Sequence, residues 1–412
     1  LGDVYKRQLF TALMAGAMTV NAQSDFQVKE LAKLPVKNIT NYDKGVCRTG
    51  YGFGDKFYMT DRGALELRVF DLATGTEIGQ KEIGANQALG HDEAGNAIIA
   101  NWGFGGSNPV GSETTFTLIS ADLKNMRTTE KVGSIQGRGD FLGKAKGNVF
   151  GAEGATLLAS GAAQDLENKG IVCYTFSSTG GDTPLVQYSN VFDSDQKIGS
   201  GTWSSYNYYK DVDGTDRYLF VNRSFALTDI FFEEGEVAGE VLGDQTRFYS
   251  PEDRLPNKGV CNGGEIFVLG SRKFIVYGNW REGVKTYLDG FTIAEIGADN
   301  KTLTTVYSKE PDTSMEREMT TQGNWLNVEV LNDKQAKLYQ YFLGGYAAEY
   351  GITIDGADMP TGIAGVENAA AKAVSTTYYT PAGVASKTAV KGLNIVVTKY
   401  ADGSQKVVKV IK

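Results

Sequence analysis

One histidine, His91, serves a chain of 412 residues. That scarcity sets aside a His-containing catalytic triad and a multi-histidine metal centre. Three cysteines, Cys47, Cys173 and Cys261, are too few for a disulfide framework. No segment carries a long, clean 3.6-residue apolar period, which sets helical folds aside. The formal net charge is −8 and no basic stripe is present, which excludes the usual footprint of a nucleic-acid binder. Proline is rare, at eight residues.

Glycine and aromatics are abundant instead: 51 Gly, 21 Tyr and 20 Phe, the composition of many short strands joined by tight turns. One phrase occurs twice. Lys44-Gly45-Val46-Cys47-Arg48-Thr49-Gly50 returns as Lys258-Gly259-Val260-Cys261-Asn262-Gly263-Gly264, and each copy leads into an aromatic and apolar strand. Looser versions begin at Gln87, Gly137, Gly199 and Gln322. The six starts stand about 40 to 65 residues apart, room for four strands and their loops in each unit.

The first unit shows the grammar. Strands are predicted at Tyr51–Phe53, Lys56–Thr60, Leu65–Phe70 and Thr76–Ile83, with Asp and Gly at the reversals. Second strands follow at Ala97–Ala100, Val149-Phe150, Tyr218–Val221, Phe274–Tyr277 and Leu338–Phe342. The third unit fits worst, and Ala162–Asn168 reads there as a short helix. The sixth unit shows three strands, and Phe26–Leu31 reads as the strand that completes it, closing a ring and removing its open edges. The predicted fold is therefore all-β: a six-bladed β-propeller over residues 25–360, with seven blades as the alternative count. A linker, 361–376, and a small β module, 377–412, follow it.

Leu1–Gln8 lacks an initiator Met and resembles adapter-derived read sequence. Lys6-Arg7, the apolar Leu9–Val20 and the small-residue end Val20-Asn21-Ala22 read as a secretory signal, so residues 1–22 are set apart from the fold. No transmembrane segment is expected in the mature chain. The tail from Ala364 carries seven Lys against Glu367 and Asp402, a basic module on an acidic body.

Tyr378-Tyr379-Thr380-Pro381-Ala382-Gly383, Lys391–Val397, Tyr400-Ala401-Asp402-Gly403 and Lys406–Val410 resemble the C-terminal tails of exported Bacteroidetes proteins. In the type IX secretion family such tails are sorting signals read at the outer membrane. The resemblance implies export to the extracellular or outer-membrane surface, with the periplasm as the alternative, and the secretion machinery as a partner. The body resembles the uncharacterised secreted propellers of the same phylum, through its repeat pattern alone.

In a propeller the start of each first strand and the end of each second strand share one face. The starts place Arg48, His91, Arg138, Trp203, Asn262 and Asn324 there; the second-strand ends place Asp61, Arg62, Asn101, Trp102, Glu153, Asn222, Arg223, Asn279 and Trp280. Amides, guanidinium groups and indoles around a funnel suit a polar ligand with apolar faces, such as a sugar. The plainer reading is turn formation and packing between blades. No catalytic residue, cofactor or metal is assigned. Asp211-Val212-Asp213-Gly214-Thr215-Asp216 resembles part of a calcium loop but reads first as a hairpin turn. His91 reads as a surface residue at a turn. Cys47 and Cys261 read as separate packed thiols near the axis. The function expected is non-catalytic binding of a glycan or protein ligand. The alternative is a carbohydrate-active hydrolase or lyase using carboxylates such as Asp61, Asp140 and Glu153.

Overall fold

The second strands are the most apolar stretches of the chain, and their two faces are buried against different neighbours. In the first such strand Phe57 and Met59 face one hydrophobic cluster while Tyr58 faces another. Ile98 and Ala100 likewise oppose Ala97 and Ile99, and Phe274 and Val276 oppose Ile275 and Tyr277. A period of two with both faces apolar requires a sheet covered on both sides. The computed structural model meets that requirement by stacking sheets face to face around a ring.

It describes residues 25–43, 45–83, 88–101, 113–133, 141–161, 170–177, 185–192, 204–222, 228–231, 245–247, 260–279, 289–300, 302–312, 324–360, 373–380, 383–400 and 405–411. The strands, in order, begin with β1 (Gln27–Pro35), β2 (Gly50–Phe53), β3 (Lys56–Asp61), β4 (Glu66–Asp71) and β5 (Glu77–Glu82). Then come β6 (Ala88–His91), β7 (Ala97–Asn101), β8 (Glu113–Ile119), β9 (Met126–Thr128) and β10 (Val132–Gly133). The third group is β11 (Phe141–Lys144), β12 (Lys146–Gly147), β13 (Ala155–Gly161), β14 (Gly170–Phe176) and β15 (Val186–Phe192). The fourth is β16 (Ser204–Lys210), β17 (Asp216–Asn222), β18 (Thr228–Phe231) and β19 (Gln245–Arg247). The fifth is β20 (Val260–Leu269), β21 (Arg272–Asn279), β22 (Phe291–Ile296) and β23 (Leu303–Lys309). The last of this unit are β24 (Asn324–Asn332), β25 (Gln335–Phe342) and β26 (Tyr346–Thr353).

The chain is all-β, and its first compact unit, to Gly362, has the arrangement of a β-propeller. Successive sheets run β2-β3-β4-β5, β6-β7-β8 with β9 and β10, β12-β13-β14-β15, β16-β17-β18-β19, β20-β21-β22-β23 and β24-β25-β26-β1. The first strands β2, β6, β11, β16, β20 and β24 touch one another in that order, and β24 touches β2. β1 joins β26 antiparallel, with Gln27 opposite Thr353 and Pro35 opposite Tyr346. The strand expected at Phe26–Leu31 thus takes the place foreseen for it.

Hydrophobic clusters lie between consecutive sheets. Cys47, Phe57 and Met59 meet Trp325 and Tyr341 where the last sheet adjoins the first. Phe116 and Leu118 meet Leu157, Tyr174 and Phe176, and Phe274 and Phe291 meet Leu326, Leu338 and Tyr350. Burying each such side chain is worth about 1.5–3 kcal/mol.

The third sheet departs from the sequence expectation. Val149-Phe150 is not a strand; it sits in a turn where Asn148 O accepts from Gly151 N and Asp92 Oδ2 accepts from Val149 N. The second strand there is β13, later in the chain. β11 pairs parallel with β6, Gly143 opposite Gly90, before β12 turns into its own sheet against β13. The helix read at Ala162–Asn168 lies outside the described residues.

Gly90 and Gly143 show why this ring admits no larger residue at those points. A Cβ on Gly90 would stand 2.5 Å from Gly143 O, and one on Gly143 2.2 Å from Tyr206 O. Gly143 also has φ of +90°.

The second unit, Ile363–Lys412, is one sheet ordered β28-β27-β29-β30, from β27 (Ala373–Tyr379), β28 (Ala385–Ser386), β29 (Leu393–Tyr400) and β30 (Gln405–Ile411). β27 begins inside the stretch read as a linker. Asn394 pins the preceding loop: its Nδ2 donates to Val390 O and Gly392 O, and its Oδ1 accepts from Val390 N.

Gly143→Ala is expected to cost about 2–5 kcal/mol, from overpacking plus a left-handed backbone. Gly214→Ala, at φ of +85° but with open space around it, is expected to cost only about 1–2 kcal/mol. Urea titrations of both variants check the difference; equal losses would refute the crowding argument.

Candidate functional site

First strands that meet at an axis have no sheet partner on that side, so their buried amides need side-chain partners. Neighbouring strands supply them. Asn327 Oδ1 accepts from Gly52 N at 3.0 Å and its Nδ2 donates to Gly52 O at 2.8 Å. Asn207 Oδ1 accepts from Lys144 N at 3.1 Å, while its Nδ2 donates to Gly264 O at 2.9 Å. Glu265 Oε2 accepts from Val328 N at 2.9 Å.

These strands diverge enough at their C-terminal halves to leave an axial cavity of about 460 Å³. Every first strand reaches it: Phe53, His91, Lys144, Tyr208, Ile266 and Asn327 each line a part of the wall. Asp92, Glu93, Lys210, Asp211 and Glu329 add charge from the strand ends and following turns.

Most of these carboxylates are committed. Asp92 Oδ1 accepts from Ala94 N and Asn96 N, and its Oδ2 from Asn96 Nδ2 and Val149 N. Asp211 Oδ2 faces Lys273 Nζ at 2.8 Å and Arg217 Nε at 3.7 Å. Glu329 Oε2 accepts from Gly54 N and Tyr339 Oη, and burial raises its pKa. Glu93 Oε2 accepts from Gly147 N.

Three groups around the axis are less tied. His91 is buried, stacks on Tyr51 with ring centroids 4.6 Å apart, and has no hydrogen-bond partner for Nδ1. Burial, helped by the Lys144 charge, lowers its pKa to about 3, so the ring is neutral at pH 7. Lys144 Nζ donates to Val328 O at 3.3 Å and lies 3.8 Å from Glu265 Oε2. Glu265 is 1% exposed, Oε1 has no partner, and burial raises its pKa to about 7 against the opposing pull of Lys144. The set can offer a cation, a neutral ring nitrogen and a carboxyl group that changes charge near neutrality. Among the described residues no group of three or more His, Cys, Asp or Glu is placed to hold a metal ion.

The antiparallel pairings put first-strand starts beside second-strand ends, as expected: Gly50 opposes Met59 and Asn324 opposes Phe342. The predicted residues there that can be described serve turns and packing. Arg48 Nε donates to Gly45 O, and Arg48 O accepts from Trp325 Nε1. Asp61 Oδ1 accepts from Gly63 N and Ala64 N, and Arg62 beside it is half-buried. Asn101 Nδ2 bonds Thr115 Oγ1 and Thr117 Oγ1. Asn324 Nδ2 donates to Gly290 O, and its Oδ1 accepts from Gln340 Nε2. Trp102, Arg138, Trp203, Arg223 and Trp280 lie outside the described residues, as does Asp140; for Asn222, Asn262 and Asn279 only the strand position is described.

Three sequence readings are corrected. His91 is not at the surface; it ends β6 and faces the axis. Glu153 does not end a second strand; it is exposed in the turn between β12 and β13, on a second, more open hollow. Cys47 is a free buried thiol, but it packs between the last and first sheets and not at the axis. Burial pushes it up to about 12. The Asp211–Asp216 segment is a hairpin turn, with Gly214 N donating to Asp211 O and Asp213 Oδ1 accepting from Thr215 N.

Lys144, Glu265 and the cavity itself were missed. A signal existed: Gly90-His91, Gly143-Lys144 and Gly264-Glu265 each put glycine before a titratable residue within a first strand. Gly90 and Gly264 were read only as parts of the repeated phrase, and Gly143 was not singled out.

No protein-family model and no curated protein matches the chain. Solved structures similar to it include regucalcin, a calcium-binding protein from Agrobacterium tumefaciens, at 12% identity and a TM-score of 0.39, over 81% of this chain and 94% of that one. A luciferin-regenerating enzyme is 8% identical with a TM-score of 0.38, over 82% and 98%. The dihydro-heme d1 dehydrogenase NirN is 12% identical with a TM-score of 0.31, over 88% and 66%. Likeness of this degree carries no argument about ligand, metal or activity.

The titration of Glu265 has a stability consequence. Its folded pKa lies above the ordinary 4.5, so the native chain holds a proton that the unfolded chain releases between pH 4.5 and about 7. Stability therefore falls across that window relative to Glu265→Gln, by about 3 kcal/mol in total. Urea denaturation of both proteins from pH 4.5 to 8 measures it; a constant difference would show that Glu265 does not titrate there.

Proposed function

We propose that this chain is a non-catalytic, ligand-binding β-propeller of six blades that receives a glycan, or a segment of a protein, along the ring axis. The observation that supports it most directly is the axial cavity, lined from every first strand and within the size range of small-molecule sites. Its walls combine aromatic surface from Phe53 and Tyr209 with a few polar groups that converge on one space. Asp92 and Asp211, which a hydrolytic pair would need free, are held by backbone amides or cations. Trp102 and Trp280, put forward from the sequence, would extend contact with a longer ligand.

Export belongs to the same proposal. The apolar Leu9–Val20 with its basic flank, and the tail resembling type IX sorting signals, support a cell-surface or extracellular location. The second unit would serve as the sorting module and would be recognised by the secretion machinery.

A glycan array probed with the wild-type chain, with Lys144→Met and with the double variant Trp102→Ala/Trp280→Ala tests the reading. Binding that drops at least tenfold in Lys144→Met is expected. Binding that survives Lys144→Met and falls only in the tryptophan variant would move the ligand to the tryptophans. Release of reducing ends from a bound glycan, abolished by Asp61→Asn or Glu153→Gln, would replace the binding reading with the hydrolase one.

A further inference from the structure

The side chains at the axis say more about the ligand than its size. Lys144 brings an ammonium group to the wall of the axial cavity. Its neighbours are Glu265 Oε2 at 3.8 Å and Val328 O at 3.3 Å. Two buried polar atoms by this lysine have no partner in the fold, His91 Nδ1 and Glu265 Oε1. A buried polar atom without a partner costs about 1–3 kcal/mol. Here two such atoms belong to groups flanking one lysine, in a ring where the side chains of Asn207, Asn327 and Glu329 are bonded across to a neighbouring blade. Only His91 and Lys144 of the three groups line the cavity itself; Glu265 stands behind Lys144.

We infer that the axial cavity holds a small hydroxylated carboxylate, of the class of a uronic acid at a glycan end, with its carboxylate on Lys144 and a hydroxyl on His91, and that Glu265 takes up a proton as it binds. This rests on the reading that the ligand enters along the axis and names the chemistry of that ligand.

The proton follows from charge. With Glu265 ionised, Lys144 already has an anionic neighbour, and a second carboxylate would meet repulsion in a space of low dielectric. With Glu265 neutral, the lysine charge is open to the ligand. Other charges around β20 do not change this balance. From β16, Lys210 is exposed at the rim and Tyr208 Oη donates to Asp216. Arg217 of β17 and Lys273 of β21 both face Asp211. Glu329 of β24 is bonded by Gly54 N and Tyr339 Oη, and His91 of β6 is neutral. Burial has already raised the Glu265 pKa to about 7, so its protonation near neutral pH needs little further driving force.

The test is titration calorimetry of the full chain with glucuronate and with glucose, in buffers free of carboxylates, at pH 6, 7 and 8. Glucuronate is expected to bind at pH 6 and to weaken by up to about tenfold per pH unit above the Glu265 titration. Lys144→Met should abolish that binding, and Lys144→Arg should keep part of it. Glu265→Gln should bind with no loss between pH 6 and 8. Circular dichroism of each variant separates lost binding from lost fold. Equal affinity for glucose and glucuronate would leave the axial reading standing and overturn the carboxylate. Glucuronate binding unchanged by Lys144→Met, or none at pH 6 by the folded wild-type chain, would overturn it as well. Glycan binding that depends only on Trp102 and Trp280 would instead sink the axial reading on which it rests.

Discussion

The crowding of first strands at the ring axis is the constraint from which the rest of the fold follows. Strands that converge there lie too close for ordinary side chains at every position. Gly90 and Gly143 sit where a Cβ would meet the backbone of the next strand. The same convergence removes the sheet neighbour that would normally satisfy the inner backbone groups. Asn207, Asn327 and Glu265 take over that role, each bonding the main chain of an adjoining blade. Close approach and cross-blade bonding thus arise from one geometric fact.

Away from the axis the ring depends on paired apolar faces. Alternate residues of β3, β7 and β21 belong to different clusters, so each middle strand joins the sheets before and after it. A sheet in this position has no solvent face to carry charge, and a charge buried there, such as that of Lys337, is matched. Lys337 is fully buried against Glu349, at 2.9 Å, and Asp55. Removing either partner from such a set would strand a charge in the interior. The strand β5, in which half-buried and exposed residues alternate, shows where that requirement ends.

Much of the fold was legible from repetition. Turn residues at Gly54-Asp55 and Asp61-Arg62-Gly63 bounded strands that the structure contains, and the N-terminal strand joined the last sheet. The third unit was misread because Val149 and Phe150 are apolar for a different reason: they pack in a turn anchored by Asp92 from the preceding sheet. The site was less legible. Asp61 and Asn324 had the right residue types at the right strand ends, yet their polar atoms are used locally by Gly63 and Gly290. A residue type at a loop end does not tell a ligand contact from a turn bond, since both use the same oxygen or amide.

What the sequence determined by itself was the all-β class, the repeat and the strand that closes it. Those follow from period-two burial and turn chemistry, which are local in the chain. Only the tertiary structure decided that His91 is buried, that Lys144 meets Glu265 across 121 residues of sequence, and that a cavity lies beside His91 and Lys144. Their significance comes from distance and desolvation. Neither is a property of a residue and its neighbours along the chain; both appear when the first strands are brought to one axis.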